Sequence, residues 1–302
     1  MKKIINWLRF PLGIIAGLII MLSAAIISII IMLLYITHIL IPWRKLRIGF
    51  RNNVIYELPG LWARICGLSL GLSTFGCWEK PDLSILSRRK HYLLIANHRS
   101  WFDILLIAIL TQKHTPPFRF FMKRELLWQV PIAGVMCWMI GFPFMRRHTR
   151  TQIRKNPKLR NQDIETTKQV CRRFIDPPIT FINFPEGTRF SEEKKAKQNS
   201  PYTHLLKPRS GGCALITNEL TDYLGGVIDL TIYYSGDKPS IFKLLTGQIK
   251  HIACDFTLRP ITEDMLGDYY NDREYRARFQ NWLNKCWEEK DAALNNFFAA
   301  GE

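Results

Sequence analysis

From Leu12 to Ile41 the chain carries no Asp, Glu, Lys or Arg, and only His38 can become charged near neutral pH. A run of about thirty such residues exceeds the ~20 that a helix needs to cross the hydrocarbon core of a bilayer. It is longer than the apolar part of a signal peptide, ~7–15 residues, and no small-residue cleavage site closes it. Ser23-Ala24-Ala25 lies in mid-run, so cleavage there would leave an apolar stub. The run therefore reads as an uncleaved membrane-anchor helix. Lys2, Lys3 and Arg9 precede it; Arg44, Lys45, Arg47 and Arg51 follow. The slight excess after the run places the following chain in the cytoplasm. The length also allows part of the helix to re-enter or lie in the interface.

This segment decides how the charge is read. The chain has 42 Lys+Arg against 25 Asp+Glu, a net +17, which calls for anionic partners. With an anchor present, those partners are membrane lipids. No helix-turn-helix, zinc-finger or RNP pattern supports nucleic acid. The seven cysteines are scattered and form no C-x-x-C pair, as expected of buried thiols in a reducing compartment. No His/Cys/Asp cluster has ligand spacing, so no metal is expected.

Three zones follow: an anchor over 1–45, a bridge over 46–85 and a larger domain over 86–302. The bridge contains Leu58–Leu72, which reads equally as an interfacial or a core helix. Beyond it, short apolar runs read as strands at Tyr92–Ala96, Phe118–Met122, Gly141–Met145, Ile179–Phe184, Val227–Tyr234 and His251–Leu258. Helical patterns lie at Phe102–Thr111, Pro131–Met139, Asp163–Phe174, Gly211–Leu220 and Asp272–Lys290. The alternation predicts an α/β fold: a mixed, mostly parallel sheet with helices on both faces, preceded by the membrane-anchor helix. A basic segment around Arg146, Arg147, His148 and Arg150 reads as a solvated charge run or a lipid-phosphate surface.

Two polar islands interrupt the apolar runs at strand ends, where α/β sheets collect functional residues. The first is Asn97-His98-Arg99-Ser100-Trp101-Phe102-Asp103. Ser100-x-x-Asp103 resembles a capping box, which leaves Asn97 and His98 unexplained. A turn of this size brings His98 back onto Asp103. The carboxylate then fixes the imidazole tautomer and leaves the other ring nitrogen free to accept a proton. The second island is Asn183-Phe184-Pro185-Glu186-Gly187-Thr188-Arg189-Phe190. Pro185 and Gly187 are turn residues; Glu186 and Arg189 are not explained by a turn.

His98-x4-Asp103 together with Phe-Pro-Glu-Gly-Thr-Arg resembles the glycerolipid acyltransferase family that includes 1-acylglycerol-3-phosphate acyltransferases. Gly141 with Arg147 six residues on fits a third motif of that family, although Arg146 stands where many members have aspartate. Val227–Tyr234 stands where the family has a Pro-rich strand, without the prolines. Together with Phe190-Ser191-Glu192-Glu193-Lys194 and the late Trp287-Glu288-Glu289-Lys290-Asp291, this is similar to the branch of lysocardiolipin acyltransferase-like enzymes and their bacterial inner-membrane relatives. The resemblance covers roughly residues 85–295. It implies transfer of a fatty acyl group from acyl-CoA or acyl-carrier protein to lysophosphatidic acid, without a cofactor, at the cytoplasmic side of a bacterial inner membrane. It implies His98 as base, Asp103 as its orienting partner, and a substrate site built from Glu186, Gly187, Thr188, Arg189, Arg147 and Asn97. The two arginines would clamp the acceptor phosphate, Glu186 would receive the glycerol hydroxyl or orient an arginine, and Asn97 would help the developing oxyanion. Arg209 is a further phosphate contact or a solvated loop residue. Ser100 or a cysteine as covalent nucleophile is a minor alternative. A different lysophospholipid head group and a non-catalytic lipid-binding relative remain the competing readings.

Overall fold

The computed structural model describes residues 2–74, 78–129, 131–145, 158–236, 239–246, 248–249, 251–269 and 271–300. In chain order the N-terminal part comprises α1 (Lys2–Leu40), α2 (Arg44–Asn53) and α3 (Leu58–Thr74). Then come β1 (Trp78–Glu79), β2 (His91–Ala96), α4 (Phe102–Thr111), β3 (Phe118–Phe120), β4 (Met122–Lys123), α5 (Leu126–Gln129), α6 (Pro131–Met139) and β5 (Phe144–Met145). The remainder is α7 (Lys158–Arg173), β6 (Thr180–Asn183), α8 (Glu192–Gln198), α9 (Gly211–Glu219), β7 (Leu224–Tyr234), α10 (Ile241–Leu245), β8 (Ile252–Arg259) and α11 (Arg273–Ala300).

Six strands form one sheet in the order β1-β8-β7-β2-β6-β3. β7, β2, β6 and β3 run parallel, and β8 is antiparallel to β7. β2 lies at the centre with every residue buried, which explains its unbroken apolar sequence. Leu93 and Ile95 face a core shared with α7, α9 and α11. Tyr92, Leu94 and Ala96 face the other core, shared with α3 and α4. Helices therefore cover both faces, as an α/β sheet requires. β7 pairs with β2 and β8 along most of its length. A proline there would remove ladder hydrogen bonds, so the strand Val227–Tyr234 suits its interior position.

Strongly apolar helices fall close to expectation: α4 and α6 match their predicted spans. The expected strand over 118–122 is divided. β3 joins the main sheet, and β4 pairs with β5 in a separate parallel ribbon. α8 and α10 have no counterpart among the expected helices. α8 is the segment EEKKAKQ, polar except for Ala196; it is started by Ser191 Oγ accepting from Lys194 N–H at 3.3 Å and carries no apolar period to read.

α1 packs along the fold. Ala16, Ile20, Ile27 and Ile31 are buried, and the last three belong to the two cores flanking the sheet. Gly13 meets the Leu245 carbonyl of α10 so closely that a Cβ would overlap it. The opposite stripe of α1 is exposed, including Ile14, Leu18, Leu22, Ile29, Leu33 and Ile36. α3 has the same two-sidedness: Ala63, Cys66 and Leu70 are buried, and Leu61 and Leu68 are exposed.

Candidate active site

β2, β6 and β7 are parallel, so their C-terminal ends share one edge of the sheet, and both polar islands sit there. After Ala96 the chain leaves β2, turns through His98–Ser100, and enters α4 at Phe102. Asp103 lies in the first turn of α4, where a carboxylate is favoured. Its Oδ2 accepts from Arg99 N–H at 2.7 Å and Ser100 N–H at 2.9 Å. These bonds close the turn. They are the backward half of a capping box; Ser100 Oγ instead accepts from Phe102 N–H at 3.2 Å.

The same oxygen meets His98 Nδ1 at 2.8 Å. Oδ1 accepts the Tyr234 hydroxyl from the end of β7 at 2.6 Å. Asp103 is 0% exposed, so four donors surround a carboxylate removed from water. Burial and the Asp103 carboxylate hold the Tyr234 phenol well above its usual range, so it stays a donor. The His98 ring stacks on Phe184 with centroids 4.2 Å apart. Its side chain is 15% exposed, and Nε2 has no protein partner among the described residues.

The second island follows β6. Pro185 and Glu186 are buried, and Gly187 takes φ +70°, a conformation glycine adopts without steric cost. Glu186 is 1% exposed. Its Oε1 accepts His98 N–H at 3.2 Å and Oε2 accepts Leu206 N–H at 3.3 Å. Burial outweighs those two donors and pushes its carboxyl up to about 8, so at neutral pH the group is chiefly the protonated acid. Thr188 Oγ1 and Arg189 O both accept from Lys194 Nζ, at 3.0 and 2.8 Å. The Arg189 guanidinium lies 4.3 Å over the ring of Trp101, itself 65% exposed. Arg209 N–H donates to Pro185 O at 2.9 Å, and its Nη1 lies 3.9 Å from where a Cβ on Gly187 would stand.

His98, Asp103 and Glu186 thus share one constellation, with Gly187, Thr188 and Arg189 on its second turn. Asn97 is placed differently from the expectation of an oxyanion contact. It is fully buried, and its amide donates to Ile232 O and accepts Ile232 N–H, both at 2.8 Å. It ties the end of β2 to β7 where the ladder stops. Arg147 lies outside the described residues. Sequence reasoning missed Tyr234, Phe184 and Arg99 as parts of the site. Tyr234 is 131 residues from Asp103, and no local spacing connects them. Arg99 lies over the rings of Phe190 and Phe298 at 5.1 and 5.4 Å, and its Nη1 is buried without a hydrogen-bond partner.

The described thiols are unsuited to nucleophilic attack. Burial pushes Cys66, Cys137, Cys171, Cys254 and Cys286 up to about 12, and Cys213 higher still, so none is a thiolate at neutral pH. Among the described residues no group of His, Cys, Asp and Glu is arranged to hold a metal.

The chain is 25% identical over 305 residues to 1-acyl-sn-glycerol-3-phosphate acyltransferase 3 of Arabidopsis thaliana, covering 93% of this chain and 73% of that one. It is 26% identical to the delta 1-acyl-sn-glycerol-3-phosphate acyltransferase of Rattus norvegicus, covering 74% of this chain and 57% of that one. The fold resembles the crystal structure of the 1-acyl-sn-glycerophosphate acyltransferase PlsC from Thermotoga maritima, with TM-score 0.53, 14% identity and 98% of both chains covered. That likeness is one of fold. The acyltransferase family model matches residues 81–235, more than half of the chain and both polar islands. This chain belongs to the acyltransferase family.

Proposed function

We propose that the protein moves a fatty acyl group from an acyl thioester to the free sn-2 hydroxyl of 1-acylglycerol-3-phosphate, giving phosphatidic acid. The observation that carries this reading is the His98–Asp103 pair at 2.8 Å with the second imidazole nitrogen open. A hydroxyl is a weak nucleophile at neutral pH, so a base has to take its proton as the carbon–oxygen bond forms. His98 Nε2 is that base. Asp103 fixes the tautomer through Nδ1 and stabilises the imidazolium. Attack on the thioester carbonyl gives a tetrahedral intermediate. Its collapse breaks the carbon–sulfur bond, and the imidazolium returns the proton to the leaving thiolate. A thiolate is a good leaving group, so direct transfer suffices.

Arg189 and Arg209 supply paired guanidinium donors for the acceptor phosphate, with Arg147 as a third. Glu186, kept largely protonated, donates to an oxygen of the acceptor, and Gly187 and Thr188 shape the same wall. The acyl donor is acyl-CoA or acyl-carrier protein.

The protein works at a membrane. Its exposed α1 stripe, with the exposed Trp43 and Leu46, suits lipid tails, and the basic residues of α2 suit lipid head groups. The reading assigns the catalytic part to the cytoplasmic side of a bacterial inner membrane. Holding the site at lipid level spares lifting acyl chains through water, at ~0.8 kcal/mol per CH₂.

The test is product analysis. Membranes containing the protein, given lysophosphatidate and a labelled acyl-CoA, should form labelled phosphatidate well above control membranes. Labelling of another lysophospholipid alone would reject the head-group assignment. A lysophosphatidylinositol acceptor is the second reading. It is favoured by 28% identity over 143 residues to the 2-acyl-1-lysophosphatidylinositol acyltransferase of Saccharomyces cerevisiae, which covers 42% of this chain.

A further inference from the structure

The late sequence Trp287–Asp291 plays no part in the chemistry above, yet it lies against both halves of the site. α11 presents polar groups to residues 202–210. Gln280 Nε2 donates to Pro208 O at 3.2 Å, and its Oε1 accepts Ser210 Oγ–H at 2.7 Å. The Tyr202 hydroxyl donates to Asn284 O at 3.4 Å, and His204 Nε2 meets Asn295 Oδ1 at 3.0 Å. The tightest hold is Asp291. Its buried carboxylate accepts Thr203 N–H at 2.7 Å and His204 N–H at 2.8 Å. Both are charge-assisted bonds.

Two residues beyond His204, Leu206 N–H donates to Glu186 Oε2 at 3.3 Å. Glu186 Oε1 in turn accepts the His98 N–H at 3.2 Å. The neighbouring Lys290 reaches the other half of the site. Its ammonium donates to Leu230 O at 2.7 Å and to Thr231 Oγ1 at 3.2 Å. It also pairs with Asp229 Oδ1 at 2.7 Å, off the line of a hydrogen bond. Those residues belong to β7, which carries Ile232, bonded to Asn97, and Tyr234, bonded to Asp103. One dipeptide therefore grips the strand behind His98–Asp103 and the loop behind Glu186.

We propose that Asp291 is a positioning residue for acyl transfer: by holding the Thr203 and His204 backbone it seats the Leu206 N–H on Glu186 and fixes that carboxyl against the His98 peptide. The inference rests on the function proposed above. It differs from a purely structural role because it ties Asp291 to the titration of Glu186. Losing the Leu206 donor removes a bond that favours the ionised carboxyl, so Glu186 then titrates at higher pH.

The experiment uses the full chain in detergent or vesicles. Thermal unfolding is followed against pH in the wild type and Asp291→Ala, each with and without Glu186→Gln, so that the Glu186-linked part is isolated. Acyl transfer is measured alongside, with Glu288→Gln as an exposed control on the same helix. The Glu186-linked midpoint should move to higher pH in Asp291→Ala. Its kcat should fall about tenfold or more, the scale of a small misplacement of a reacting group, with KM for the acyl thioester and the Glu288→Gln rate unchanged. Asp291→Asn keeps one acceptor oxygen and should lie between; it carries the comparison if Asp291→Ala does not fold. An unchanged Glu186-linked midpoint overturns the proposal, as does a rate that falls only with the folded fraction. If the wild type acylates no lysophospholipid, the function reading fails, and the unfolding comparison still decides the link between Asp291 and Glu186.

Discussion

Glu186 carries a pH dependence that follows from its burial. Its carboxyl is raised from 4.5 to about 8 in the folded protein. The folded state therefore binds a proton that the unfolded chain releases, and the Glu186 contribution to stability falls as pH rises from near 4.5 through about 8. The fall should be absent from Glu186→Gln, as unfolding midpoints across that range will show. Equal slopes in the two proteins would mean that Glu186 is hydrated. At this scale the sequence was informative where motif residues are contiguous or nearly so: His98 and Asp103 are five positions apart and do meet. It was silent where contacts cross the sheet. The buried tie between Asn97 and Ile232 spans 135 positions. A polar residue at a strand end reads equally as a tie or a ligand until the neighbouring strand is known.

Among the elements, β7 and α11 form the support on which the site stands. Arg259 donates to Asp229 Oδ2 at 2.9 Å, and the Lys290 ammonium meets Oδ1 of the same buried carboxylate. Replacing Lys290 with methionine leaves Asp229 with Arg259 alone in a buried setting. The expected loss is about 3 kcal/mol, toward the low end for breaking a buried pair, read from denaturant unfolding in detergent. A loss under ~1 kcal/mol would mean that water or a neighbour replaces the ammonium. Strongly apolar elements were legible, and α4, apolar on every side, was placed along its whole length. α11 runs to Ala300, past its expected end at Lys290, because Leu294, Phe297 and Phe298 continue to pack on the core. β4 and β5 are two residues each, too short for any period to reveal their pairing.

For the molecule as a whole, α1 is part of the folded core as well as the apolar surface. Its length over residues 10–40, about 46 Å at ~1.5 Å per residue, would suit a free span. However, Ile20, Ile27 and Ile31 pack into the two cores and Gly13 abuts α10. Removing residues 1–40 should therefore destabilise the remainder and raise its sensitivity to protease. A fragment as protease-resistant as the whole chain would show that α1 is only a tether. The apolar run announced itself in the sequence by its lack of charge. Its buried stripe did not, because an all-apolar helix gives no contrast between the side that meets protein and the side that meets lipid.

The central claim is that the open nitrogen of His98, steered by Asp103, takes the acceptor's proton. Its most direct test is the rate of thiol release from acyl-CoA in the presence of lysophosphatidate, for the wild type and His98→Ala at equal membrane levels. A positioned base contributes about 10²–10⁴ in rate, so a fall of that size is predicted, with the unfolding midpoint retained. Equal rates in the two proteins would contradict the account.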